Sequence, residues 1–375
     1  MSARADVLVV GGGVVGCAAA WFLAREGASV RLLERDDVAA HASGAAAGML
    51  LPWGESRGEG PFLALAEQSL AMFPGLCAEL LQASDIDPEF EPSGALHVAL
   101  TEADAASGRE RASAFADRGL EWLEPDVARD AEPGLAPGIL GAVWAPREAH
   151  VRSALLARAF AAAAARLGAV IERGVAAERL RREGDRVVGV ESSAGWRPAG
   201  TVVLCAGAWS PALAPCALPI EPVRGQIVSL DQTHPPLRTI AVGPRAYAVP
   251  KRDGSLVVGA TEERAGFDCR VTAAGVAGLL AAGIELLPAL ADAAFRDAWA
   301  GLRPATPDGL PVVGPAPGTR GLLLAAGHHR NGVLLAPITG RLVADLVLGK
   351  PLPAEAEVLR AERLQSGDGL AFLSF

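Results

Sequence analysis

The chain has 375 residues, 51% of them apolar and 21% charged, with a mean hydropathy of +0.28, which excludes a mostly disordered chain and allows one large core or two smaller ones. Its 34 basic and 43 acidic residues leave a net charge of −9 and a pI near 5.3, which argues against nucleic acid or an anionic membrane surface as partner. Five cysteines (Cys17, Cys77, Cys205, Cys216 and Cys269) are odd in number and contain no C-x-x-C, so they read as reduced thiols of a cytoplasmic protein, with neither a disulfide framework nor a metal site.

Residues 6–10 read as a buried strand, 11–13 as a glycine turn, 14–26 as a helix ended by Gly27, and 29–33 as the next parallel strand. The uncharged run from Val7 to Ala24 is long enough to resemble a signal peptide or a membrane span. Asp6 at its start and three consecutive glycines argue against both, since each glycine inside a helix costs about 1 kcal/mol relative to alanine. The expectation is a chain without a membrane anchor.

This β-α-β unit carries Gly11-x-Gly13-x-x-Gly16, followed 18 residues later by Glu34. Gly11 permits the tight turn, Gly13 lets the backbone approach a pyrophosphate, and Gly16 lets helix and strand pack closely. The helix N-terminus offers N–H groups and partial positive charge to phosphates, and Glu34 can accept hydrogen bonds from a ribose. The pattern indicates a dinucleotide and does not choose between NAD and FAD.

Further along, the tiny residues of 42–49 have two readings. One is a helix start with Ser43 as N-cap; the other is backbone brought against a second stretch of cofactor. Residues 85–144 are irregular and charged, 152–167 form an alanine-rich helix, and 169–173 and 186–191 read as strands with a turn at 183–185. A buried strand over 201–205 leads into the small-residue turn at Gly207, and 222–302 shifts to the period of strands that close a site over the cofactor. A strand at 321–326 precedes a helix over 333–348. With no repeat and no linker, the domains are expected to interleave: 1–84, 144–220 and 300–375 in a Rossmann-like α/β cofactor domain, 85–143 and 221–299 in an α+β substrate domain on an antiparallel sheet.

The opening A-D-V-L-V-V-G-G-G-V-V-G, the run A-S-G-A-A-A-G-M-L and P-V-R-G-Q at 222–226 resemble the D-amino-acid oxidase family of flavoenzymes. The segments G-L-R-P-A-T-P-D-G-L-P-V-V-G (301–314) and G-H-H-R-N-G-V-L-L-A-P-I-T-G (327–340) look most like its glycine-oxidising, thiamine-pathway branch. The resemblance runs from residue 5 to about 350. It implies oxidation of glycine to glyoxylate, ammonia and hydrogen peroxide by FAD and oxygen, with no nucleic-acid or membrane partner and with homo-oligomerisation left open.

Carried over by residue, the resemblance puts Gly11, Gly13, Val14, Val15 and Gly16 at the pyrophosphate and Glu34 and Arg35 at the adenosine ribose. Ala42, Ser43, Ala47, Gly48 and Met49 would lie along the flavin, Val175 would support the adenine, and Gly207 would approach the cofactor. His328, His329, Arg330, Asn331, Gly332, Val333 and Leu334 would meet the isoalloxazine ring, the histidines mainly through backbone. Arg303 would bind the substrate carboxylate, helped by Tyr247, the only tyrosine, and by Arg330. Residues 300–306 lack the cysteine that tethers flavin in related sarcosine oxidases, so the FAD is expected to be noncovalent. Sarcosine or small D-amino-acid oxidase or dehydrogenase activity, or a catalytically silent flavoprotein, stay open at this level. So does the direction of Glu262, which would favour a cationic amine if it faced the pocket.

Overall fold

The computed structural model describes residues 5–55 and 58–364, so the outer ends of the expected cofactor-domain segments and residues 56–57 lie outside the described residues. Strand β1 (Ala5–Val10), helix α1 (Val14–Arg25) and strand β2 (Val30–Glu34) form the expected unit, with β1 and β2 parallel and Val7 opposite Val30. Nearly every side chain of α1 is buried, because it sits between the sheet and two further helices, Ser153–Arg166 and Gly332–Val347. Only alanine, glycine and a few large apolar residues allow three helices to approach this closely.

The first sheet has the order Val312–Pro315, Leu322–Ala326, Gly195–Leu204, β1, β2, Val170–Arg173, with all pairs parallel except the outermost one at Val312–Pro315. A charged hairpin, Ala177–Glu183 and Arg186–Ser192, extends it antiparallel from Gly195–Leu204. The four parallel strands β1, β2, Gly195–Leu204 and Leu322–Ala326 end against one cavity, the position that an open α/β sheet offers a ligand.

The second sheet also has eight strands, in the order Phe295–Ala305, Glu221–Asp231, Ser255–Gly259, Tyr247–Pro250, Ile240–Val242, Ala95–Ala99, Gly141–Ala145, Glu121–Leu123. It is antiparallel except where Ile240–Val242 meets Ala95–Ala99. The borders expected at 143/144 and 299/300 fall inside the strands Gly141–Ala145 and Phe295–Ala305, which continue their pairing across them.

The stretch 222–302 is not all sheet. Ala273–Leu286 is a helix, started by Thr272, whose hydroxyl accepts the Gly275 N–H at 3.1 Å, and it packs Leu279, Ala282 and Leu286 on the sheet. Three glycines in fourteen residues hide its helical period. Similarly, Pro74 interrupts the pattern of the 24-residue helix Pro61–Ser84. Among the described residues no helix is long and apolar enough to cross a membrane.

Gly340 marks a close contact between the helix Gly332–Val347 and α1: a Cβ there would sit 2.7 Å from Phe22 Cδ2 and 2.9 Å from the Ala18 carbonyl carbon. Gly340→Val is expected to destabilise the fold by about 1–3 kcal/mol through overpacking, read as a lower urea midpoint by circular dichroism.

Candidate cofactor and substrate site

The glycine turn has three glycines with different constraints. Gly11 has φ of +108°, and a Cβ there would meet the Cys205 carbonyl oxygen at 2.4 Å. A Cβ on Gly16 would lie 2.0 Å from the Gly11 carbonyl oxygen. Both are demanded by the protein itself. Gly13 has ordinary extended backbone (φ −71°, ψ 174°), and the only atom within 4 Å of an added Cβ is Ser43 Oγ at 3.2 Å. The space left open there is cavity, which suits a ligand approached by backbone.

Glu34 is buried at the end of β2, and its carboxylate accepts the Gly12 N–H at 2.6 Å and the Asp36 N–H at 2.9 Å. Its geometry is therefore set in advance, with lone pairs left for hydroxyl donors. Ser43 does not cap its own short helix, whose N-cap is His41; its Oγ accepts the Val14 N–H at 2.9 Å and so caps α1 from a distance. At this end Arg35 lies 3.9 Å over the Trp209 ring, with His41 and Phe267 flanking that ring at 4.9 and 5.4 Å.

Ala47 and Gly48 are held from behind by Lys251. Its buried Nζ donates to the Ala47 carbonyl at 2.7 Å and the Val151 carbonyl at 3.0 Å, and burial brings its pKa down to about 7. Gly48 has φ of +83°, and a Cβ there would strike the Val151 carbonyl oxygen at 1.9 Å.

The opposite end is built on the second sheet. Arg303 stands opposite Val223, and its guanidinium lies over Gly225, where a Cβ would come within 2.1 Å of Nη1. Nη1 donates to the Thr261 carbonyl at 3.0 Å. Tyr247 stands opposite Gly259, whose missing Cβ leaves room for the phenol oxygen. Behind Thr261, its hydroxyl donates to Glu263 at 2.5 Å, and Glu263 also pairs with the buried Arg224 and accepts from Gln226 Nε2 at 2.7 Å. A braced loop thus carries the carbonyl that orients Arg303.

Arg330 and Glu262 face each other across the same end, Nη1 to Oε2 4.0 Å. Glu262 therefore points into the cavity. His328 is buried with its Nε2 3.0 Å from Thr339 Oγ1, and His329 takes φ of +46°. Burial lowers both pKa values to about 3, aided at His329 by Arg303, Arg330 and Arg264, so both rings are neutral near pH 7.

One cavity of about 710 Å³ joins the two ends. Of the residues expected from the sequence, Gly11, Gly13, Val14, Val15, Glu34, Arg35, Ala42, Ser43, Ala47, Gly48, Met49, Gly207, Tyr247, Arg303, His328, His329, Arg330, Asn331, Gly332 and Val333 line it. Gly16, Val175 and Leu334 do not. Gly16 packs under the turn. Val175 donates its N–H to the Glu34 carbonyl at 2.8 Å and leaves the wall to Ala176. Leu334 is turned into the core, with its carbonyl taken by Ser69. Thr261, Lys251 and the glycines Gly225 and Gly259 carry no local sequence signal, because their partners lie on segments distant in the chain, whereas Trp209 closes the small-residue turn expected at Gly207.

The family described as FAD dependent oxidoreductase (DAO) matches residues 6–346. The chain belongs to that family. It is 38% identical over 347 residues to the bifunctional protein ThiO/ThiG of Nostoc sp., an alignment covering 92% of this chain and 52% of that protein, so the chain spans about half the length of this curated relative. The crystal structure of glycine oxidase from Geobacillus kaustophilus superposes with a TM-score of 0.91 at 36% identity, covering 96% of this chain and 98% of that one. That of iminodiacetate oxidase from Chelativorans sp. does so with a TM-score of 0.85 at 30% identity, covering 94% and 98%.

The open face of Gly13, the preset Glu34 carboxylate and a cavity lined continuously from the glycine turn to Arg303 fit an extended dinucleotide, as FAD dependence requires. Gly13→Val is expected to fold normally and purify colourless, because the added side chain meets cavity space and no core; flavin absorbance together with an unchanged thermal midpoint checks this. Buried His328 supplies a pH test. The unfolded imidazole takes up a proton below about pH 6.5 while the folded one stays neutral, so stability falls with pH by about 1.4 kcal/mol per unit from this group. Urea unfolding from pH 7 to 5 is expected to show a shallower decline in His328→Gln than in the parent protein.

Proposed function

We propose that this chain is an FAD-dependent oxidase that converts glycine, oxygen and water to glyoxylate, ammonia and hydrogen peroxide, in the cytoplasm and in service of thiamine biosynthesis. The observation that carries this reading is the placement of Arg303 and Tyr247 on one wall of the cavity that begins at the glycine turn. An amino-acid carboxylate bound there lies within the same enclosure as the flavin-side backbone of Ala47, Gly48 and Met49.

In this reading the α1 N-terminus and the Gly13 backbone hold the pyrophosphate, and Glu34 and Arg35 hold the ribose. The turn at Asn331–Gly332 aims the N-terminus of the helix Gly332–Val347 at the cavity, where partial positive charge suits an anionic ring edge. The tether is noncovalent. Cys205, the cavity-lining cysteine among the described residues, has its thiol pKa pushed up to about 12 by burial and so carries almost no thiolate. FAD supplies the acceptor for the hydride that leaves the α-carbon.

The chain's own side chains bind and orient. Arg303 offers a planar fork to the carboxylate and cannot lose its charge, and its angle is set by the Thr261 carbonyl. The Tyr247 hydroxyl adds a donor, and Arg330 adds positive charge on the far side. Neither His328 nor His329 is basic enough to accept a proton from an ammonium group, so the amine reaches its reactive neutral form through solvent exchange.

Purified protein reconstituted with FAD is expected to release peroxide with glycine and sarcosine, less with D-alanine, and little with bulky D-amino acids, because one methylene is worth only about 1–3 kcal/mol of selectivity. Flavin-replete protein that oxidises no amino acid would overturn the proposal. Arg303→Ala removes a charge-assisted contact worth about 1.5–3 kcal/mol, so KM for glycine should rise by roughly tenfold or more with the flavin spectrum unchanged.

A further inference from the structure

The substrate end carries three lining guanidinium groups, Arg303, Arg330 and Arg245, and one lining carboxylate among the described residues, Glu262; the other lining acids, Glu34 and Glu178, belong to the first sheet. Glu262 follows directly on Thr261, whose carbonyl orients Arg303, and its Oε2 lies 4.0 Å from Arg330 Nη1. Both side chains are about a third exposed, 34% and 35%, so the pair is reachable by a ligand and by salt.

Two guanidinium forks in one cavity offer two sites for carboxylates, and a dicarboxylic amine would fill both. A carboxylate facing the second fork changes that outcome. The second acid group of such a ligand would meet a like charge, while the ammonium of a simple zwitterion would meet an opposite one. Selection of this kind needs a repulsive element against the wrong ligand as well as an attractive one for the right ligand.

We infer that Glu262 is a specificity-determining residue, the charge partner of Arg330 that makes this cavity accept amino acids with one carboxylate and reject those with two. The inference rests on the amino-acid oxidase reading above and adds to it a discriminating group.

The test compares glycine with iminodiacetate, which is glycine bearing a second carboxymethyl group on nitrogen. In the FAD-loaded Glu262→Gln protein the iminodiacetate-to-glycine ratio of kcat/KM is expected to rise at least about tenfold over the parent, one charge contact's worth of discrimination. Glu262→Asp, which keeps the charge, should stay much closer to the parent than to Glu262→Gln. Adding Arg330→Met to Glu262→Gln should reverse the gain. In the parent the ratio should climb with added salt as the partly exposed pair is screened.

A ratio unmoved in Glu262→Gln, or moved equally by Glu262→Asp, overturns the inference while glycine oxidation by the parent leaves the proposed function standing. If the parent binds flavin but oxidises no glycine, the function fails instead. The inference is then read from the dissociation constants of the two ligands, by perturbation of the flavin absorbance, with the same tenfold change expected. Glu262→Ala replaces the amide variant should the latter lose its flavin.

Discussion

The contact between Gly16 and the Gly11 carbonyl sets the depth at which α1 lies on the first sheet. A Cβ at Gly16 would come within 2.0 Å of that oxygen and one at Gly11 within 2.4 Å of the Cys205 oxygen, so no other residue lets helix, turn and neighbouring strand converge. Once they do, the N-terminus of α1, the end of β2 with Glu34 and the turn after Gly195–Leu204 share one rim. Everything the cavity offers a cofactor at that end depends on this closeness, since backbone N–H groups act only at hydrogen-bonding range.

The other end uses the same device in sheet form. Gly225 and Gly259 are cross-strand neighbours of the positions that bear Arg303 and Tyr247, and each lacks the Cβ that would displace the side chain beside it. Glycine in a central strand weakens the strand, and here the loss is exchanged for two polar side chains lying flat along the sheet. The pair of buried Arg224 with partly buried Glu263, its hydrogen bonds completed by Thr261 and Gln226, stiffens the loop that would otherwise let Arg303 swing. Such a pair adds little net stability, because desolvation offsets its attraction, but removing one partner leaves a buried charge and unsettles the loop.

Electrostatics divide the cavity by function. The glycine-turn end presents helix N–H groups and one carboxylate already engaged by backbone, whereas the Arg303 end concentrates guanidinium charge moderated by Glu262. Between them the histidines contribute no charge, since burial holds both neutral. Anions are therefore attracted at both ends by different means, helix dipoles with Arg35 at one and the guanidinium groups around Arg303 at the other.

The cofactor half was legible in the chain because its determinants are local. Turn, helix and acid occur within thirty-four residues, and glycine spacing and strand hydrophobicity suffice to place them. The helix Ala273–Leu286 stayed hidden where glycine and alanine erase periodicity, and Gly16, Val175 and Leu334 were expected at the cavity although they support it from behind. With 32 arginines in the chain, composition could not single out Arg303 or say which way Glu262 turns. Those outcomes belong to the tertiary structure. The pairing of Phe295–Ala305 with Glu221–Asp231, and the loop braced beside it, decide which guanidinium and which carboxylate share a cavity, because register between distant strands selects the face on which each side chain emerges.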